Sequence, residues 1–194
     1  MRGRPIAYVA DGERDHRMLP PLVATVVGAH REGGFTAWKD VQLQGGAFGT
    51  SRTSGYGRKL RLVLMRAEGN GCDLVAMVDR DRSGGRLEEL SAARDAAGGR
   101  VACAVGEAVP HGEAWLVDDL EPLRRVLGLD AQAPRPDLRD PKSAFDGLVT
   151  EAGVDRLDAF AAVAAAVEPG RCLRARETGF ADFVADLREQ FVVA

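Results

Sequence analysis

The run Asp73-Leu74-Val75-Ala76-Met77-Val78, followed at once by Asp79-Arg80-Asp81, decides the reading of the fold. Its apolar stretch is continuous rather than alternating, the pattern of a strand covered on both faces, as in the parallel sheets of α/β proteins. It is expected to lie centrally. Upstream, Ile6–Ala10 reads as a first strand, a helix-like segment follows from about Asp15 to His30 with Pro20 and Pro21 near its start, and Phe35–Leu43 reads as a second strand. A Gly/Ser-rich loop spans Gly45–Gly57, and Leu60, Leu62, Val63 and Leu64 begin a short helical segment. Downstream, Leu87–Ala97 reads as a helix stopped by Gly98 and Gly99, and Arg100–Val105 as a further strand. Strands alternating with helices predict βαβ units, hence an α/β, Rossmann-like domain with a mostly parallel central sheet flanked by helices.

From Glu113 the period changes. Leu116, Leu120, Leu123 and Leu127 form one apolar helical face that stops at Gly128, and Asp130–Pro141 reads as a proline-marked loop. An Ala-rich helical region over Ala159–Val167 follows, then a closing helix with Phe180, Phe183, Val184, Leu187 and Phe191 on one face. The expected organisation is an α/β core over residues 1–128, with a linker and C-terminal helices over 129–194 packed on it.

Lys and Arg number 26 against 29 Asp and Glu, a formal net of −3, so the chain lacks a global basic excess and any attraction to phosphate must come from a local patch. No apolar run approaches the roughly 20 residues that cross a bilayer, and the expectation is a soluble, cytoplasmic protein without a membrane partner. Cys72, Cys103 and Cys172 form no C-x-x-C spacing and read as buried thiols. His16, His30 and His111 form no zinc motif.

In open α/β sheets, ligands bind beyond the carboxyl ends of the strands. Two predicted strand ends are acidic: Asp11-Gly12-Glu13-Arg14-Asp15 and Asp79-Arg80-Asp81. Side chains two apart on an extended chain share a face, so Asp79 and Asp81 can offer carboxylates to one hard cation such as Mg²⁺. The plainer alternative is an acidic turn that caps the next helix, with Gly84-Gly85 making the bend. A third acidic element, Gly112-Glu113-Ala114-Trp115-Leu116-Val117-Asp118-Asp119, lies in a stretch without lysine or arginine between Glu107 and Glu121. Its plain reading puts Glu113 at the positive end of its helix and Asp118 or Asp119 in water. Opposite in sign is Ser51–Arg66, with Arg52, Arg58, Lys59, Arg61 and Arg66 among glycines; it lacks a P-loop signature, yet it could contact a phosphate backbone.

Taken together, Ala7–Asp15, Leu74–Asp81, the Gly112–Asp118 segment, Asp140-Pro141-Lys142 and Gly179-Phe180-Ala181-Asp182-Phe183 resemble the TOPRIM superfamily. The order spans nearly the whole chain. It is similar in particular to an uncharacterised TOPRIM-like family akin to the nuclease part of overcoming-lysogenization-defect proteins, often encoded beside an AAA ATPase in prokaryotic phage-defence loci. The resemblance implies a Mg²⁺- or Mn²⁺-dependent nuclease acting on nucleic acid, DNA ahead of RNA, with an ATPase partner and a homodimer as further expectations. Asp11 takes the place of the superfamily's glutamate, Asp79 and Asp81 that of the metal pair, and Glu113 that of a further acid; Asp15 matches an additional acid. Metal ligands are thus Asp11, Asp79, Asp81 and Glu113, and Asp11, Glu13 and Glu113 carry catalysis. Aspartate at 11 is one methylene shorter than glutamate, and Glu13 next to it could substitute. Arg52, Arg58, Lys59 and Arg61 would hold the backbone.

Competing readings are a haloacid-dehalogenase-like phosphatase using Asp79 and Asp81, whose family places its D-x-D on the first strand, and a sugar-nucleotide transferase, for which the chain is short. A third is a non-catalytic TOPRIM-like subunit, which exposed Trp38 and Phe48 would favour.

Overall fold

A computed structural model describes residues 3–43, 55–80, 84–132 and 135–192. Four strands form one parallel sheet: β1 (Ile6–Ala10), β2 (Glu32–Ala37), β3 (Asp73–Asp79) and β4 (Cys103–Ala108), in the order β2-β1-β3-β4. The predicted central strand is central: β3 lies between β1 and β4, with Ile6 level with Asp73 and Asp79 level with Ala108. The fold is α/β with helices on both faces of the sheet and C-terminal helices besides.

Alternate residues of each strand face opposite layers. Tyr8, Val75, Met77 and Ala104 face a core completed by α1 (Glu13–Val27) and by the C-terminal helices. Val9, Leu74, Ala76, Val78 and Val105 face a second core completed by α2 (Tyr56–Gly69) and α3 (Arg86–Asp95). Residues upstream and downstream of position 128 thus share one apolar cluster, in which Trp115 stacks on Phe180 and Phe183 with centroids 5.3 and 4.9 Å away.

Several boundaries differ from those read off the sequence. The second strand starts and stops earlier, and Trp38–Asp40 forms a 3-10 turn that buries Trp38 and lets its indole N–H donate to Met77 O at 2.7 Å. The first helix begins at Glu13, and α2 begins at Tyr56, within the stretch read as loop. The fourth strand lies three residues further on. Where one helix was expected from Glu113 to Leu127 there are two, α4 (Glu113–Asp118) and α5 (Leu120–Leu127), because Asp119 is extended and caps α5 through Glu121 N–H. Two helices follow the proline-marked segment, α6 (Pro141–Ala152) and α7 (Arg156–Ala164), each capped by an aspartate side chain, Asp140 and Asp155.

The last helix, α8 (Phe180–Phe191), closes the outer edge of β4. Asp186 accepts from Val105 N–H at 2.6 Å while pairing with Arg94, and Thr178 O accepts from Val109 N–H at 3.0 Å. Close approach here depends on glycine: a Cβ on Gly106 would stand 2.5 Å from Phe183 Cδ2.

Candidate functional site

Parallel pairing of β1 and β3 brings their carboxyl ends to the same edge of the sheet, and with them Asp11 and Asp79. Asp11 Oδ2 accepts from the backbone N–H of Asp79 at 3.3 Å. One turn into α1, Asp15 is buried and turns back to accept from Gly12 N–H at 3.0 Å. Asp79 is held from the other side: Oδ1 accepts from Gly112 N–H at 3.0 Å, and Oδ2 lies 3.1 Å from His111 Nδ1. Gly112 packs so tightly that a Cβ there would stand 2.8 Å from Met18 Cε and 3.4 Å from Asp15 Oδ1.

Glu113, in the first turn of α4, is buried and takes Arg14 Nη1 at 2.9 Å, while Arg14 Nη2 reaches Asp146 of α6 at 2.9 Å. Arg14 also lies over the Phe160 ring, 5.6 Å from its centroid. Buried Trp115, whose N–H donates to Thr178 O at 2.7 Å, fixes the helix that presents Glu113.

Charge accumulates at this edge. Burial, the nearby Asp79 carboxylate, and then Asp11 and Glu113, push Asp15 up to about 7 despite the hydrogen bond from Gly12. Burial and the neighbouring Asp11 push Asp79 up to about 6, against the lowering pull of His111 and Gly112 N–H.

The chain matches no family model, no curated protein and no solved structure. The site is therefore argued from its own residues.

Asp11, Asp15, Asp79 and Glu113 come together; Glu13 does not, since it is exposed on the first turn of α1. Asp81 and Arg52 lie outside the described residues, as does Phe48. Of the basic residues, Arg58 and Arg61 are exposed on α2, whereas Lys59 is half-buried with Nζ 2.6 Å from Trp38 O, so its ammonium serves the fold. Asp118 and Asp119 do not face water. Asp118 accepts from Arg174 N–H, and Asp119 from Glu168 N–H and Arg171 Nε as well as from its own helix. Cys72 and Cys103 are buried as expected and Cys172 is half-buried, with burial raising Cys103 and Cys172 to about 12. Sequence reasoning gave no role to Arg14 or His111, whose partners lie 99 and 32 positions away. Their nearness in number to the acidic motifs was the one available signal.

Oxygen donors of this kind suit a hard divalent cation, and the raised pKa values of Asp15 and Asp79, caused by burial and by their acidic neighbours, mark a concentration of negative charge that a cation would relieve. Among the described residues, however, no three His, Cys, Asp or Glu side chains are set to hold a metal ion. Both oxygens of Asp79 are turned to protein groups, Gly112 and His111, and one oxygen each of Asp15, Glu113 and Asp11 to Gly12, Arg14 and the Asp79 backbone.

Proposed function

We propose that the chain is a Mg²⁺- or Mn²⁺-dependent nucleic-acid phosphodiesterase of TOPRIM-like type. The observation that carries the reading is Asp11 against the backbone of Asp79 at the carboxyl ends of two central parallel strands, with Asp15 and Asp79 both raised by burial and by their acidic neighbours. Asp11 and Asp79 would hold the metal, with Asp81 and Glu113 joining them and Asp15 lying behind. A bound divalent ion would supply Lewis acidity and lower the pKa of an attacking water.

Each protein group has its own part. Gly112 N–H and His111 fix the Asp79 carboxylate, and Arg14 holds Glu113 in reach of the cluster while anchoring α6. Asp11, which accepts from the backbone of Asp79, would be the group to orient or deprotonate the water; exposed Glu13 is poorly placed for it. Arg58 and Arg61 on α2 offer cations to the phosphodiester backbone. Burial of Trp38 removes one of the two aromatics that would have favoured a non-catalytic binding subunit.

The test is cleavage of supercoiled DNA, linear duplex, single-stranded DNA and RNA with Mg²⁺ or Mn²⁺, by the chain alone and with the ATPase encoded nearest to it. Metal-dependent nicking that is lost with chelator and in Asp79→Asn and Asp11→Asn is expected. Intact substrates under every condition would end the proposal, and turnover of a simple phosphomonoester in their place would move the assignment to a phosphatase.

A further inference from the structure

Arg14, in the first turn of α1, sets its guanidinium between two acids from different helices. Nη1 donates to Glu113 Oε1 of α4 and Nη2 to Asp146 Oδ2 of α6, both at 2.9 Å. Each carboxylate thus receives a single bond from Arg14, where an arginine facing one carboxylate commonly gives two. The shortfall shows at Asp146: Oδ2 has Arg14 and, at 3.4 Å, Arg156, but Oδ1 is buried with no hydrogen-bond partner. A buried carboxylate oxygen without a donor is costly, and native proteins rarely leave one. A donor stands beside it already, since Arg14 Nη2 is bonded to the other oxygen of the same carboxylate. The Phe160 ring, 5.6 Å from Arg14 Cζ, gives the guanidinium a flat floor on which to turn.

Glu113, whose side chain is only 7% exposed, is costly to leave charged and alone, so it needs either Arg14 or another cation. A divalent ion at the strand ends would compete with Arg14 for that carboxylate and repel the guanidinium. Asp146 Oδ1 then offers the displaced N–H an acceptor on a carboxylate that Arg14 already holds. We propose that Arg14 is an exchangeable stand-in for the metal: without the ion it neutralises Glu113, and with the ion it turns onto both oxygens of Asp146. The exchange presupposes the metal-dependent reading above, and it carries metal occupancy at the sheet edge to α6 among the C-terminal helices.

Binding of Mn²⁺ to the whole chain at pH 8, followed by the electron paramagnetic resonance of the free ion, tests the exchange independently of any cleavage. Arg14→Gln, which keeps a hydrogen-bonding side chain and removes the charge, should tighten binding about tenfold or more. Asp146→Asn should weaken it about threefold or more in the parent, and by less than about twofold in the Arg14→Gln background, because Asp146 acts through Arg14. No binding by either the parent or Arg14→Gln ends the metal reading and the exchange together. Binding by the parent that is unchanged or weaker in Arg14→Gln overturns the exchange alone. So does an Asp146→Asn effect of equal size in both backgrounds, the mark of a charge acting only through space. Should Arg14→Gln fail to fold, carbon-13 NMR of the side-chain carboxyls in the parent decides. Mg²⁺ is expected to move the Glu113 and Asp146 signals together, and either one standing still overturns the exchange.

Discussion

Asp15 and Asp79 bind their protons more tightly in the folded chain than an unfolded aspartate does, near 7 and 6 against about 3.9. Because the folded pKa is the higher one, their contribution to stability is complete below about pH 4 and is lost as pH climbs through 6 and 7, at up to about 1.4 kcal/mol per pH unit for each group. Thermal unfolding followed from pH 4 to 8 should therefore show a decline that Asp15→Asn flattens. At pH 8 that variant should be more stable than the parent by about 1–3 kcal/mol, since it removes a buried charge set among like charges. A variant less stable than the parent at pH 8 would show that Asp15 is neutralised by something else. Asp119 is the contrasting acid, buried but accepting from Glu121, Glu168 and Arg171. Asp119→Ala leaves those donors without an acceptor and should cost about 2–4 kcal/mol in denaturant unfolding.

At the level of elements, packing decides what each glycine tolerates. Gly106→Ala drives a methyl into the Phe183 ring of α8, a tightly placed aromatic, and should destabilise by about 1–3 kcal/mol. Gly147→Ala, in α6 where a Cβ meets nothing within 4 Å, should be neutral or stabilising by up to about 1 kcal/mol. Paired urea curves check both, and similar outcomes would contradict the α8–β4 contact. Elements differ equally in how plainly the sequence announces them. The third strand is legible because both its faces are buried, so no polar residue interrupts it. Much of β2 is hidden: Glu32-Gly33-Gly34 has little strand propensity and pairs on one side only, at a sheet edge, while Trp38 extends the apparent apolar pattern into what is a 3-10 turn. The break at Asp119 is masked by the unbroken leucine spacing, although an aspartate followed by Pro122 is a helix-start signal that could have exposed it. The acids at the two strand ends could be placed from position alone. That Arg14 holds Glu113, that His111 faces Asp79 and that Lys59 is bound to Trp38 follow from tertiary approach, which local pattern does not carry.

For the molecule as a whole, the cluster of acids links pH, metal and stability. On the proposed function, millimolar Mg²⁺ or Mn²⁺ should raise the melting temperature at pH 8, where the carboxylates are charged, and have little effect at pH 5, where protons compete. Asp79→Asn should abolish the rise. A rise of the same size in that variant would place the cation elsewhere on the chain.

Asp186 and Thr178 take up the N–H groups of Val105 in β4 and of Val109 just beyond it, so the outer edge of β4 is capped at these two points by residues that lie well downstream of it. During synthesis the strand exists before its cover does. Until the closing helix docks, β4 offers unpaired backbone donors beside an apolar face, a template on which another copy can add its own strand. Chains stalled before Phe180 should therefore self-associate through that edge, which makes the closing helix a chaperone in cis for the sheet it completes.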